Sequence, residues 1–245
     1  MIRPTLEQKK ELEMTIKYIS FDLDDTFWDV MPTIYKAQEL TSVWIKENYP
    51  GTAKLLVKED MIEVRNRAVK ENPSLQFQIS ALRKKIFYEA SILAGYSKEE
   101  SSDMSENAFK IFIEARNDVI LFEGVLEALE SLKKTYSLGV ITNGNADLKQ
   151  IGMDHLFEHC FSSADTYAHK PDPKAFEALI KASKLKPEEI CHVGDHPIND
   201  VKGSYECGMK PIWFKNLGAE WPLEDLKVPE FEKWENFESV LVESY

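Results

Sequence analysis

Cysteine is scarce: the chain of 245 residues has three, Cys160, Cys191 and Cys207, and no two form a CxxC pair. That spacing excludes a disulfide framework and a thiolate zinc knuckle, and leaves the expectation of three reduced, buried thiols that serve packing. Long apolar runs are missing too. No stretch approaches the roughly 20 residues a membrane span needs. The opening MIRPTLEQKKELEM is charged and has no apolar core, so no secretory signal is expected and the cytoplasm is the expected location. Positive charge is in deficit, with 30 Lys and Arg against 42 Asp and Glu, a net charge of −12. Such a chain repels polyanions at long range, so no nucleic-acid partner is expected. A small anion stays open as a ligand, because a few local cations and backbone amides can hold one phosphate. No internal repeat or low-complexity tract is present.

What is there suffices for a core: 43% of the residues are hydrophobic. The length fits one core domain with an inserted subdomain. Short apolar runs that stop at polar residues read as buried strands of a parallel sheet. They are Lys17 to Phe21, Tyr136 to Ile141, Ile190 to Val193 and Lys210 to Phe214. Helical patterns separate them, at Val125 to Lys134, Pro173 to Lys184 and Ile198 to Cys207. The alternation predicts an α/β fold with a Rossmann-like parallel sheet and helices on both faces. Residues 29–118 read as all-helical. Ile34, Ala37, Val43 and Trp44 form one stripe, and Leu82, Ile86, Ala90 and Leu93 another. Ser97 to Glu100 has the form of a capping box, and Asn72-Pro73 and Gly95-Tyr96 are breaks. The expected division is a core of 1–28 and 119–245 around an inserted helical cap, 29–118. The acidic, turn-rich tail after Asn216 is expected to wrap the surface before a short final helix.

The polar residues gather at strand ends: Asp22-x-Asp24-x-Thr26, then Thr142-Asn143, then Gly194-Asp195, with Asp200 downstream. Lys170 lies in the loop between the last two. In open α/β sheets, ligands bind outside the carboxyl ends of strands, so the fold would converge these groups in one crevice. Asp22, Asp24 and Asp195 together make a like-charged cluster that needs a cation, and magnesium suits oxygen ligands of this kind. Taken singly, each carboxylate reads more often as a solvated loop residue or a helix cap; their joint placement reverses that.

The pattern resembles the haloacid dehalogenase superfamily in its phosphatase branch, through FDLDDT, VITNGN, Lys170 in HKPDP, and GDHPIND, in family order. The resemblance implies a phosphatase acting on a small phosphorylated metabolite, such as a sugar phosphate, nucleotide or flavin-pathway phosphate. It implies Asp22 as the nucleophile that becomes a phosphoaspartate and Asp24 as general acid and base. It implies magnesium held by Asp22, Asp24 (through its backbone carbonyl) and Asp195, with Asp200 behind them orienting a water or Lys170. Thr142, Asn143 and Lys170 would bind the phosphate. The helical insertion resembles the cap of one large subgroup. A soluble monomer or homodimer follows, with no membrane partner.

Alternatives on the same scaffold are a phosphotransferase or mutase and a non-catalytic regulatory module. The true dehalogenases lack an aspartate two after the nucleophile, since a leaving halide needs no proton and an alkoxide does. Other motif lookalikes fail. Gly139 to Gly144 has P-loop glycine spacing but is followed by Asn145-Ala146. Asp22 to Thr26 begins like a calcium loop but lacks the later glycine and glutamate. His155 and His159 sit four apart without the metalloprotease glutamate. Phe27 and Trp28 read as hydrophobic packing beside the cap hinge, with stacking on a substrate open if that substrate carries an aromatic ring.

Overall fold

In the computed structural model, residues 16–56 and 60–245 are described; the N-terminal segment read above for a signal lies outside them. Among the described residues, no helix is long and apolar enough to cross a membrane. The chain forms two compact units. One holds the described residues up to Asp29 with Ile120–Gly144 and Met153–Tyr245; the other holds Val30–Val119 and Asn145–Gly152.

The first unit is built on a sheet of six parallel strands. They are β1 (Tyr18–Phe21), β2 (Ser137–Thr142), β3 (His159–Ser162), β4 (Ile190–Gly194), β5 (Lys210–Phe214) and β6 (Glu230–Phe231), in the order β3-β2-β1-β4-β5-β6. β1 is central and buried along its whole length. That explains its unbroken apolar run: a strand covered on both faces has no polar side to alternate with. Phe21 is level with Val140 of β2 and Val193 of β4. The chain leaves β1 for β2 on one side and reaches β4 on the other, so strand order reverses here, where α/β folds place their ligands.

The edge strands β3 and β6 add to the four strands expected from sequence. β3 explains a correction among the cysteines: Cys191 in β4 is buried, but Cys160 points outward from β3 and is exposed. The tail is also corrected. Instead of only wrapping the surface, it contributes Phe231, Trp234 and Phe237, all buried. Trp234 lies 5.4 Å from Phe27 and 6.0 Å from Phe21, centroid to centroid. Each such aromatic contributes roughly 2–3 kcal/mol by burial, so the tail completes the core behind β1.

The second unit packs α1 (Val30–Asn48), α2 (Pro50–Leu56), α3 (Asp60–Glu71), α4 (Ile79–Leu93) and α5 (Lys98–Arg116). The buried face of α1 is Thr33, Ala37, Thr41 and Ile45; Ala37 is as expected, Ile34 and Trp44 pack at its margin, and Val43 is 49% exposed. Two threonines fill that face, and Thr41 keeps its hydroxyl satisfied by donating to Ala37 O at 2.7 Å, a bond invisible to apolar periodicity. On α4 the buried residues are Leu82, Phe87, Ala90 and Ser91, while Leu93 is exposed. Ser91 meets Ser101 of α5 hydroxyl to hydroxyl at 3.0 Å. The capping box stands: Glu100 N donates to Ser97 Oγ at 3.2 Å, and Ser97 N to Glu100 Oε2 at 2.8 Å. Residues 145–152 group with these helices because Arg116 Nε donates to Asn145 Oδ1 and Asp147 N donates to Asn117 Oδ1.

The sheet unit also carries α6 (Val125–Leu132), α7 (Pro173–Ser183) and α8 (Phe237–Ser244). The helix expected over Ile198 to Cys207 is a wide π-turn, Pro197–Lys202, running into one α-turn, Gly203–Glu206.

Candidate active site

The backbone N–H of Asp22 still donates to Val193 O at 2.9 Å. Asp22 therefore leaves the sheet at the height of Gly194, one residue before Asp195. Thr142 ends β2 beside it. These strand ends and the Lys170 loop line a cavity of about 180 Å³. All the site residues expected from sequence line it: Asp22, Asp24, Thr142, Asn143, Lys170, Asp195 and Asp200.

Lys170 is buried at the centre. Its Nζ donates to Ile141 O at 2.7 Å and lies 2.6 Å from Asp200 Oδ1 and 2.7 Å from Asp22 Oδ1. Burial opposes its charge, but Asp200 and Asp22 outweigh that and hold its pKa above the ordinary lysine value. Asp200 collects the most support. His196 N donates to its Oδ2 at 2.9 Å, and His192 Nε2 is 3.4 Å from its Oδ1. Burial opposes ionisation there too, but Lys170 and His192 hold the carboxyl well below the usual range. His192 is itself kept neutral by burial. Its other nitrogen, Nδ1, meets Ser20 Oγ at 2.8 Å. A neutral imidazole that donates Nε2–H to Asp200 accepts the serine hydroxyl at Nδ1, so Ser20 and His192 brace Asp200 from behind.

Asp22 and Asp195 are less well compensated. Asp22 Oδ1 has one strong partner, the Lys170 ammonium at 2.7 Å, which it shares with Asp200. Burial pushes its carboxyl up to about 7 against the pull of Lys170, with Asp200 and Asp24 adding to the rise. Asp195 is pushed to about 8 by burial and by Asp200, Asp22 and Asp25. Its one hydroxyl partner is Thr26, whose Oγ1 donates to Asp195 Oδ1 and accepts Asp195 N–H, each at 3.2 Å.

This arrangement fits a hard divalent cation. Carboxylate oxygens of Asp22, Asp195 and Asp200 lie within 4.8 Å of one another. Those of Asp200 are occupied by Lys170, His192 and the His196 amide, which leaves Asp22 and Asp195 as the donors with capacity to spare. Three clustered carboxylates with one ammonium among them, two of the three held up near neutral pH, are the signature of a missing positive charge.

Thr142 Oγ1 accepts Gly144 N–H at 3.0 Å, which leaves its own O–H to donate. Asn143 is more committed than expected. Its Oδ1 accepts Lys170 N–H at 2.8 Å, and its Nδ2 donates to Lys170 O at 3.1 Å. The side chain clamps the lysine loop, and one N–H remains for an anion. Asp24 accepts the indole N–H of Trp28 on Oδ1 at 2.9 Å. The sequence offers packing or stacking for Trp28 and gives no sign of this hydrogen bond, nor of Ser20 and His192. The last two are direct cross-strand neighbours, a relation that only strand register reveals. His159 proves to be a packing residue at the sheet edge, 3.0 Å from Tyr18 OH and stacked on Phe161.

Residues 19–214 match the model of the haloacid dehalogenase-like hydrolase family. The chain is 27% identical over 200 residues to 5-amino-6-(5-phospho-D-ribitylamino)uracil phosphatase YigB of Escherichia coli, covering 82% of this chain and 84% of that protein. It is 39% identical over 98 residues to glyceraldehyde 3-phosphate phosphatase of Pyrococcus furiosus, 38% of this chain and 41% of that one. Among solved structures, a 2-haloacid dehalogenase from Pseudomonas syringae pv. Tomato DC3000 is 36% identical with a TM-score of 0.89, over 94% of this chain and 99% of that chain.

Proposed function

The chain belongs to the haloacid dehalogenase-like hydrolase family, and from that premise we propose that it is a magnesium-dependent phosphatase acting on a small phosphate monoester through a phosphoaspartate on Asp22. The observation that carries this is the pair Asp22 and Asp24 at the tip of β1, beside one buried ammonium, Lys170. A nucleophilic carboxylate and a second carboxyl two residues on are what a poor alkoxide leaving group requires.

In this reading the Lys170 ammonium and the Thr142 hydroxyl receive the phosphate, with the remaining N–H of Asn143. One carboxylate oxygen of Asp22 attacks phosphorus while Asp24 protonates the departing oxygen. Asp24, now ionised, takes a proton from the water that attacks the phosphoaspartate. Asp200, braced by His192, fixes the position of Lys170 throughout. Magnesium, held by the Asp22 and Asp195 carboxylates and the Asp24 carbonyl, would neutralise the charge that the carboxylates and the phosphate bring together. Residues 29–118 form the cap domain that selects the substrate, inserted in a core domain of 1–28 and 119–245. A sugar phosphate, a nucleotide or a flavin-pathway phosphate is the substrate class; phosphatase relatives act on two phosphorylated metabolites of related kinds.

A haloacid dehalogenase is the second reading, favoured by the name of the Pseudomonas syringae structure. Asp24 weighs against it, since a halide departs without a proton. One panel separates the two: phosphate release from phosphorylated metabolites with and without magnesium, beside halide release from a 2-haloacid, each with the native chain and Asp22→Asn. Phosphate release that needs both magnesium and Asp22 supports the phosphatase. Halide release indifferent to magnesium, with no phosphate from any ester, sinks it.

A further inference from the structure

Trp28 is wholly buried, yet it carries a donor that packing does not require. Its indole N–H reaches Asp24 Oδ1 at 2.9 Å. The backbone holds the ring in place: Asp25 N donates to Trp28 O at 2.8 Å, and Trp28 forms isolated β-bridges with Asp24 and Leu121. Phe27 beside it fills the aromatic core without any polar group, 5.4 Å from Phe21. Volume alone at position 28 could likewise be supplied by an apolar side chain.

An indole N–H donates and cannot accept. It therefore favours the unprotonated oxygen of Asp24, the better acceptor of a neutral carboxyl, as the one that faces it. We propose that Trp28 is a positioning residue for the proton transfers of Asp24: it reserves Oδ1 as an acceptor, so the proton in use is carried on Oδ2. This rests on the phosphatase reading above. In the first half-reaction an Asp22 oxygen bonds to phosphorus, and the ester P–O bond breaks with its electron pair on the substrate oxygen. That oxygen takes the proton from Asp24 Oδ2. In the second, a water oxygen bonds to phosphorus and gives its proton back to Oδ2, and the electrons of the Asp22–phosphorus bond return to Asp22. Without the indole donor Oδ1 is no longer reserved as an acceptor, and an unprotonated oxygen could face the leaving group.

The test replaces Trp28 with phenylalanine and, at position 28 alone, with benzothienylalanine, which keeps the fused-ring shape and lacks the N–H. Turnover is measured on an alkyl phosphate and on p-nitrophenyl phosphate, whose leaving group needs little protonation. The expected result is a kcat for the alkyl ester reduced about tenfold or more, the size of a lost charge-assisted hydrogen bond, with KM and the aryl ester within about twofold of native. Equal losses on both esters, or no loss with the benzothienyl isostere, would overturn the role of Trp28 while leaving the phosphatase reading intact. A native chain that turns over neither ester would overturn both.

Discussion

Replacing Asp22 with asparagine should separate what this residue does for chemistry from what it costs the fold. The carboxyl is held up at about 7 by burial, against an ordinary value of 3.8. A carboxyl whose native value lies above its unfolded value binds its proton more tightly when folded. Stability is therefore lost as pH rises from the unfolded value towards the native one, and stays lost above it. Over that span the penalty comes to about 4 kcal/mol at pH 8. Asparagine removes it, and the pull of Lys170, 2.7 Å away, is already counted in the value of about 7. An amide that fits less well than the protonated carboxyl beside a buried ammonium takes back about 2 kcal/mol, so about 2 kcal/mol of stabilisation should remain. For a chain of this size the melting temperature rises by about 6 °C at pH 8 without divalent cation. At pH 5 the penalty is only about 2 kcal/mol, because it grows from the unfolded value of 3.8 upward, and the amide's cost cancels it, so the advantage should shrink to near zero. Phosphate release should meanwhile fall by about four orders of magnitude or more. Thermal unfolding followed by circular dichroism in a chelator, at both pH values, reads the effect. A drop in melting temperature at pH 8, or the same change at pH 5 and pH 8, would refute the account of an undercompensated carboxylate.

Lys170→Met should destabilise by about 3–5 kcal/mol in urea unfolding, because it strands Asp200 with a buried charge whose main partner is gone; a loss under about 1 kcal/mol would show that the ammonium is not what holds Asp200 ionised. Asp24→Asn should cut turnover of alkyl phosphates by about 10²–10⁴ and of aryl phosphates far less, and parallel losses in steady-state assays would count against its acid role. Gly194→Ala should cost about 1–3 kcal/mol and much of the activity, since a Cβ there would stand 2.3 Å from Asp200 Cγ; native-like melting and kcat would mean that Asp200 can move without consequence.

Strand ends were legible because parallel strands buried on both faces are short, unbroken apolar runs that stop where the sheet stops. Asp22, Thr142 and Asp195 each stand at or just past such a stop, and register places Asp22 one residue short of the other two. Lys170 is different: nothing in its own neighbourhood marks it, and only its place in an ordered set of motifs does. The aromatic tail was hidden for a compositional reason. Phe231, Trp234 and Phe237 are buried, but they stand among glutamates, so any averaging window reads an acidic surface. The helical stripes were right at Ala37, Leu82 and Ala90 and incomplete elsewhere, because threonine and serine, satisfied inside their own helix or by each other, fill a buried face without registering as apolar.

The carboxylates themselves mark the limit of sequence reading. Asp22, Asp195 and Asp200 are one residue type, all at or just beyond the tips of neighbouring strands, and nothing local assigns them different states. The difference is made by donors that arrive from elsewhere. Asp200 receives Lys170, the His196 amide and His192, and is held ionised. Asp195 receives one hydroxyl and is pushed up to about 8. Asp22 has only the lysine it shares with Asp200 and is left at about 7. Counting donors therefore sorts the three into one anchor and two groups that wait for positive charge. The anchor fixes Lys170, and Lys170 in turn keeps Asp22 from becoming a neutral, inert acid. A site that satisfied all three carboxylates would fold more stably and have no capacity left to bind a cation or attack an ester.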